Sequence, residues 1–262
     1  MKSHTFVICA YGESEYLEDC IRSVMAQTEK THVLITTHTD NAFIRGLAEK
    51  YGLSVIVNTG EGGITQDWNF ALAQVKTKLA TLAHQDDFYE PDYAALMIAA
   101  MAKARQPIIA FSDYRELRGG AVAKPSAMLK IKKLMLVPVR LFPRSKFMRR
   151  RALSFGNAIC CPSVTYNLTM MEQPVFKNHF TSNEDWEAWE ALSRKKGSFV
   201  YVNKPLMEHR IHAGSTTSDM LAENKRGAED LEMFEKFWPR GIAKLLCKAY
   251  GSSEKYNEVD ED

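Results

Sequence analysis

A chain of 262 residues, 45% hydrophobic and 25% charged, holds enough apolar material for one large domain or two small ones. No window approaches 18 uncharged apolar residues, which argues against a membrane-spanning helix, and the start of the chain runs into a strand pattern without a charged, cleavable leader. The five cysteines (Cys9, Cys20, Cys160, Cys161, Cys247) are odd in number and lack paired CxxC spacing, so reduced thiols in the cytosol are expected rather than a disulfide scaffold or a zinc site; the formal charge of +2 hides a strong asymmetry along the chain.

Thr5 to Ala10 is an apolar, β-rich run that ends at Tyr11-Gly12-Glu13 and predicts a buried strand and turn. Ser14 then caps a predicted helix with apolar residues Leu17, Ile21, Val24 and Met25 at helical spacing. His32 to Thr37 is the second strand, Asn41 to Tyr51 a helix stopped at Gly52, and Leu53 to Val57 the third strand. A Gly60–Gly63 loop leads to a helix over about Thr65 to Val75, and Leu79 to Ala83 forms the next strand. Asp92 to Lys103 reads as a helix and Pro107 to Phe111 as a strand closing at Ser112-Asp113. Beyond these, β structure is expected at Ser154 to Cys161 and Val164 to Tyr166, a helix at Asn183 to Lys196, and a strand at Ser198 to Val202. A polar Glu208–Thr217 loop comes next, then helices at Leu221 to Trp238 and Gly241 to Tyr250, and an acidic tail. Strands and helices alternating at short spacing predict an α/β fold with a mainly parallel central sheet covered by helices on both faces.

The chemistry gathers at Leu79-Ala-Thr-Leu-Ala-His-Gln-Asp-Asp-Phe-Tyr-Glu-Pro-Asp-Tyr93, where an apolar run ends in two adjacent carboxylates, Asp86 and Asp87. Open α/β sheets bind ligands at the C-terminal ends of their strands. Neighbouring carboxylates there repel each other unless a hard divalent cation lies between them, so both are candidate metal ligands facing a phosphorylated substrate. Taken alone, an Asp-Asp pair is more often a turn or a helix cap.

One segment departs from the average composition. From Leu117 to Met171 there is no Asp or Glu, against eleven Lys and Arg interleaved with residues such as Leu134, Leu141, Phe142 and Phe147. A solvated positive surface is the ordinary meaning of a charge run, but mixed basic and apolar residues suit an anionic membrane, here through residues 124–151.

Four stretches taken together resemble the inverting family 2 glycosyltransferases and their GT-A fold: Phe6 to Thr28, Gly63 to Leu72, His84 to Tyr93, and Asn183 to Trp189 followed by His209 to Thr216. The resemblance implies a nucleotide-sugar donor, contacted by Ala10, Tyr11, Glu13, Thr37, Asp67, His84, Gln85, Asp86 and Arg210, with Tyr11 stacking on the base and Glu13 meeting the nucleoside. It implies a Mn2+ or Mg2+ cofactor held by Asp86 and Asp87, with Arg210 and His212 able to reach the diphosphate or the metal. It also implies that Asp185 is the general base and Glu184 its nearest competitor, although acids at a helix start also complement its dipole. His212 alone would be an ordinary polar loop residue, and Asn69 reads as a structural hydrogen-bonding residue.

Two positions depart from the family pattern. Thr36-Thr-His-Thr-Asp40 stands where the second strand commonly ends in acids, and His84 takes the place of the first acid of the DxD motif. The implied activity moves a sugar, expected from a UDP donor, to a glycan or lipid-linked glycan in cell-surface polysaccharide synthesis, at the inner face of the plasma membrane. Residues 1–113 would form the donor half, 114–217 the acceptor half, and 218–262 C-terminal helices and tail. The competing readings are a catalytically silent membrane-docking subunit, against which Asp86, Asp87 and Asp185 count, and a nucleotidyltransferase, for which Tyr11-Gly-Glu-Ser14 supplies no glycine- and lysine-rich phosphate loop. Nucleic-acid binding has no recognised module in support.

Overall fold

The computed structural model describes residues 3–212 and 226–254. Its first half follows the expected order with one short strand, β5, added: β1 (His4–Ala10), α1 (Leu17–Met25), β2 (His32–Thr37), α2 (Ala42–Tyr51), β3 (Val55–Val57), α3 (Ile64–Gln74), β4 (Leu79–His84), β5 (Phe88–Tyr89), α4 (Tyr93–Lys103) and β6 (Pro107–Arg118). The second half holds β7 (Ala121–Val122), α5 (Ala127–Leu141), α6 (Lys146–Leu153), β8 (Val164–Asn167), α7 (Glu184–Ser193), β9 (Ser198–Ile211), α8 (Arg226–Glu235) and α9 (Arg240–Glu254). The nine strands of the described residues share one sheet in the order β3-β2-β1-β4-β8-β6-β9-β5, with β7 paired to β6. Strands β3, β2, β1 and β4 run parallel, β8 is inserted antiparallel, and β6 and β9 run parallel to each other.

Local chemistry explains the early elements. The Asn41 side chain accepts from Ile44 N at 2.8 Å to start α2, and Gly52 ends it in the left-handed region at φ 63°. Leu17, Ile21 and Val24 bury one face of α1, whereas Met25 lies half exposed on the other. Ser14 does not cap α1; its hydroxyl accepts from Tyr16 N at 3.3 Å and forms the turn before the helix. Buried inside the sheet, Thr81 Oγ1 joins His4 Nε2 and Thr165 Oγ1, each at 2.9 Å, tying β1, β4 and β8 together.

Several expectations need correction. Ser154–Cys161 is not a strand: it forms turns leading into a single 3-10 turn at Cys161–Ser163, where Ser163 N donates to Cys160 O and Pro162 has no N–H to offer a ladder. Strand β9 does not stop at Val202 but runs to Ile211 beside an equally extended β6, and irregular register around Asp113 accommodates Pro205. His209 and Arg210 therefore stand on a strand, not in a loop. Helix α7 ends at Ser193, and the tightly turned residues after it reach β9. The expected start of α8 at Leu221, the Ala213–Thr217 part of the expected Glu208–Thr217 loop and the acidic tail beyond Glu254 lie outside the described residues.

The basic segment folds as two helices, capped by the hydroxyls of Ser126 and Ser145. Pro138 continues α5 instead of interrupting it, with Phe142 N donating to Pro138 O at 3.0 Å. Arg149, expected on the surface, is 0% exposed. Its guanidinium donates to Ser193 O, Lys195 O and Gly197 O at 2.8–3.0 Å, satisfying carbonyls left open where α7 ends. Arg150 pairs with Glu190 and donates to Lys236 O, and Arg151 lies over the Trp238 ring at 4.5 Å. Arg149→Met orphans three carbonyls at once, so stability falls by about 2–4 kcal/mol. Denaturant unfolding reads this directly; a native midpoint would show that these bonds contribute little.

Candidate active site

Strand β4 projects His84 at its end, and the turn Gln85-Asp86-Asp87 comes next, stitched by Asp87 N donating to His84 O at 3.2 Å. Gln85 is held by two bonds to the Tyr11 backbone, its Oε1 accepting at 2.9 Å and its Nε2 donating at 3.1 Å. The ends of β1 and β4 are thereby locked side by side. One ligand atom from each of His84, Asp86 and Asp87 lies within 4.8 Å of the others.

Asp87 is only 1% exposed. Its Oδ1 accepts from His209 Nδ1 and from Arg210 N, both at 3.0 Å, so β9 fixes the carboxylate. Burial works to lower the His209 pKa, but the Asp87 charge and hydrogen bond outweigh it and raise the value overall. Burial also opposes ionisation of Asp86; the hydrogen bond from His212 Nε2 at 3.1 Å, with the His84 and His209 imidazoles, nevertheless holds its carboxyl below the usual range. Two buried atoms of the cluster, Asp87 Oδ2 and His84 Nε2, have no hydrogen-bond partner among the described residues. An unsatisfied carboxylate oxygen and an imidazole nitrogen, gathered with a second carboxylate, are a donor set that suits a divalent cation. His84 belongs to this group, its ring stacked on Trp68 at 5.1 Å, and His212 stands beside it through its bond to Asp86.

Arg210 donates its Nε to the Asp86 carbonyl at 2.9 Å, lies 4.2 Å over the Tyr16 ring, and reaches Asp19 at 3.5 Å. Tyr16 also touches His212, so α1 and the end of β9 close one side of the acid cluster.

A cavity of about 860 Å³ opens in front of this cluster. Ala10, Tyr11, Thr37, Asp67, His84, Gln85, Asp86, Arg210 and His212 all line it, as do Glu184 and Asp185 from the start of α7. Asp67 accepts from Asn58 Nδ2 at 2.7 Å, and Thr37 Oγ1 accepts from Thr39 N at 3.0 Å. Glu13 is exposed and is not among the lining residues. Asn69 is structural, as its sequence context suggested, exchanging two bonds with the Phe176 backbone at 2.8 and 3.0 Å.

Asp185 opens α7, where its Oδ1 accepts from Trp186 N at 2.6 Å and its Oδ2 from Asn157 Nδ2 at 2.7 Å. Burial raises its pKa in spite of those two bonds. Glu184 is pushed up to about 7, by burial first and by the Asp185 charge in addition. A carboxyl whose folded pKa exceeds its unfolded one favours folding when protonated, and that contribution is lost as pH rises from its ordinary range through 7. Glu184→Gln removes the ionisation, so it stabilises the chain at pH 8 by on the order of 1–3 kcal/mol and leaves pH 4 unchanged. Equal melting shifts at both pH values would contradict that assignment.

The sequence reading missed three contributors. Asn157 lies in the stretch expected to be a strand. His209 falls within a family-like motif that gives it no role. Lys132 sits on the inner face of α5 and lines the cavity, its Nζ 3.3 Å from the Tyr114 hydroxyl; helical spacing from Leu129, Leu136 and Val139 was the available signal.

Comparison with known proteins bears on the fold and the family. No curated protein sequence matches the chain. Among solved structures, a mannosyltransferase from Pyrobaculum calidifontis in complex with GDP-Man and Mn2+ superposes with a TM-score of 0.63 at 12% identity, over 95% of this chain and 69% of that one. TarS 1-349 of S. aureus gives 0.61 at 13% identity over 94% and 69%. The glucosyl-3-phosphoglycerate synthase of Mycobacterium tuberculosis, with Mn2+ and UDP-glucose, gives 0.58 at 12% identity over 89% and 79%. At such identities the likeness is one of fold, the GT-A glycosyltransferase architecture. The family model for glycosyl transferase family 2 matches residues 5–172, more than half the chain, and the protein therefore belongs to that family of glycosyltransferases.

Proposed function

We propose that the chain transfers a sugar from a nucleoside diphosphate donor, a UDP-sugar in the first instance, to a glycan or lipid-linked glycan of the cell surface, with inversion at the anomeric carbon. One observation carries the reading: His84 and Asp86 of the acid cluster, with Asp87 buried beside them, and the Asp185 carboxylate line the same cavity from different elements. A diphosphate leaving group belongs beside the first, and an acceptor hydroxyl beside the second. Structural neighbours that bind UDP- or GDP-sugars with Mn2+ support the donor class.

Asp86 and Asp87, with His84, would hold Mn2+ or Mg2+; such an ion, when bound, offsets charge on the departing diphosphate. The remaining work falls to the chain itself. Arg210 and His212 brace Asp86 at the cluster's edge. Asp185 accepts the proton of the attacking hydroxyl, its carboxylate held by Asn157 and the Trp186 N–H. Lys132 places a positive charge on the cavity wall. In this scheme residues 1–113 serve the donor and 114–217 the acceptor, within one continuous sheet, and 218–262 are a C-terminal extension.

Thermal unfolding with a panel of nucleotide sugars, with and without Mn2+, tests the reading. A cognate donor at a hundred times its Kd adds about 2.7 kcal/mol. The expected result is a shift by one donor class that grows with Mn2+. A panel without any shift under either condition rejects the donor assignment.

A further inference from the structure

Helix α5 has two faces of different character. Leu129, Lys132, Leu136 and Val139 point toward the sheet and cavity. The opposite face carries Ile131, Leu134, Val137 and Leu141, which are 41–71% exposed, and the chain continues into exposed Phe142 and Phe147. Large apolar residues seldom gather on an open surface without a partner. Lys130 lies on the same face, and Arg144 and Lys146 flank Phe142 and Phe147 along the chain. No Asp or Glu occurs from Leu117 to Met171 to offset them.

We propose that the outer face of α5 and the start of α6 form a docking surface for an anionic lipid membrane. An apolar stripe flanked by cations matches the depth profile of such a membrane, with hydrocarbon accepting Leu134, Leu141 and Phe142 while headgroup phosphates meet Lys130, Arg144 and Lys146. A nucleic acid would use the cations and leave the stripe in water, and a second copy of the chain would bring like charges together. The structure also redraws the basic patch. Arg149 is buried, Arg150 and Arg151 are engaged by Glu190 and Trp238, Lys132 faces the cavity and Lys133 pairs with Asp113 at 3.1 Å. Membrane contact falls instead to the outward-facing side chains between positions 130 and 147. Because the inner face of the same helix walls the cavity, docking would bring a lipid-linked acceptor at the cytoplasmic leaflet to the site; that link rests on the proposed transfer, whereas docking rests on the surface alone.

Co-sedimentation of the full chain with phosphatidylcholine vesicles, with and without phosphatidylglycerol, decides the matter without reference to activity. Binding is expected only with phosphatidylglycerol and should weaken as salt rises. Two triple variants separate the contributions: Leu134→Gln with Leu141→Gln and Phe142→Gln, and Lys130→Gln with Arg144→Gln and Lys146→Gln. None of the six positions is buried, so both variants should melt like the native chain while their partitioning drops by about tenfold or more. Failure to bind anionic vesicles, equal binding to neutral ones, or native binding by both variants overturns the proposal. So does a dimer in light scattering that the apolar variant converts to monomer. None of these results bears on donor binding, which the thermal panel tests separately.

Discussion

Asp185→Asn lowers sugar transfer by about 10² or more and leaves donor binding as it was. The substitution keeps the size of the side chain and an oxygen that can accept from Trp186 N at the start of α7. What disappears is the proton acceptor. The donor-side groups on β4 and β9 do not touch this residue, so the Mn2+-dependent thermal shift by nucleotide sugar should survive unchanged. Glu184→Gln is the control, because both carboxyls line the cavity. Near-normal transfer by Asp185→Asn together with loss in Glu184→Gln would assign the base to Glu184 instead.

The same carboxylate predicts a pH profile. Only ionised Asp185 can accept a proton, and burial raises its pKa, so the acid limb of the rate lies at higher pH than an ordinary aspartate would give. Asn157 donates to the ionised form and opposes that rise. Asn157→Leu deletes the opposing bond, and the acid limb should move further up in pH. A limb that stays fixed would remove Asn157 from the account of this carboxylate.

Sequence reading worked where local signals and tertiary structure agreed. The β1, β2 and β4 strands are short apolar runs that the parallel sheet buries, and Asn41 and Gly52 mark the limits of α2 by their own conformational chemistry. It failed where long-range pairing supplied the order. Nothing local extends β9 past Val202, because its polar residues gain strand structure from β6. Two-residue β5 is too short to show a period, and exists through its pairing with Met207 and Glu208. Arg149 resembled its basic neighbours in sequence; the open carbonyls behind it are contributed from more than forty residues away. The acid cluster shows both outcomes together. Asp86 and Asp87 were visible as a pair, but that His209 and the Arg210 backbone clamp Asp87 depends on the unforeseen length of β9.

That clamp governs the effect of altering Asp87. Asp87→Asn retains an Oδ1 to accept from His209 and Arg210 N, so the chain should fold and melt close to the native protein. The negative charge is lost, and with it the ability of Oδ2, which has no hydrogen-bond partner among the described residues, to serve as an anionic metal ligand. Asp86→Asn similarly keeps an acceptor for His212 while removing charge from the more open side of the cluster. Each variant should lose activity by about 10² or more, as expected when charge stabilisation at a leaving group is removed. The diagnostic is binding rather than rate alone: nucleotide sugar should still shift the melting temperature slightly, but adding Mn2+ should no longer enlarge that shift. Excess chelator should reduce the native chain to the same behaviour and leave the variants as they are. Full transfer in chelator, or a Mn2+ response retained by both variants, would dissociate the two aspartates from the metal and leave Asp87 as a structural link between β4 and β9.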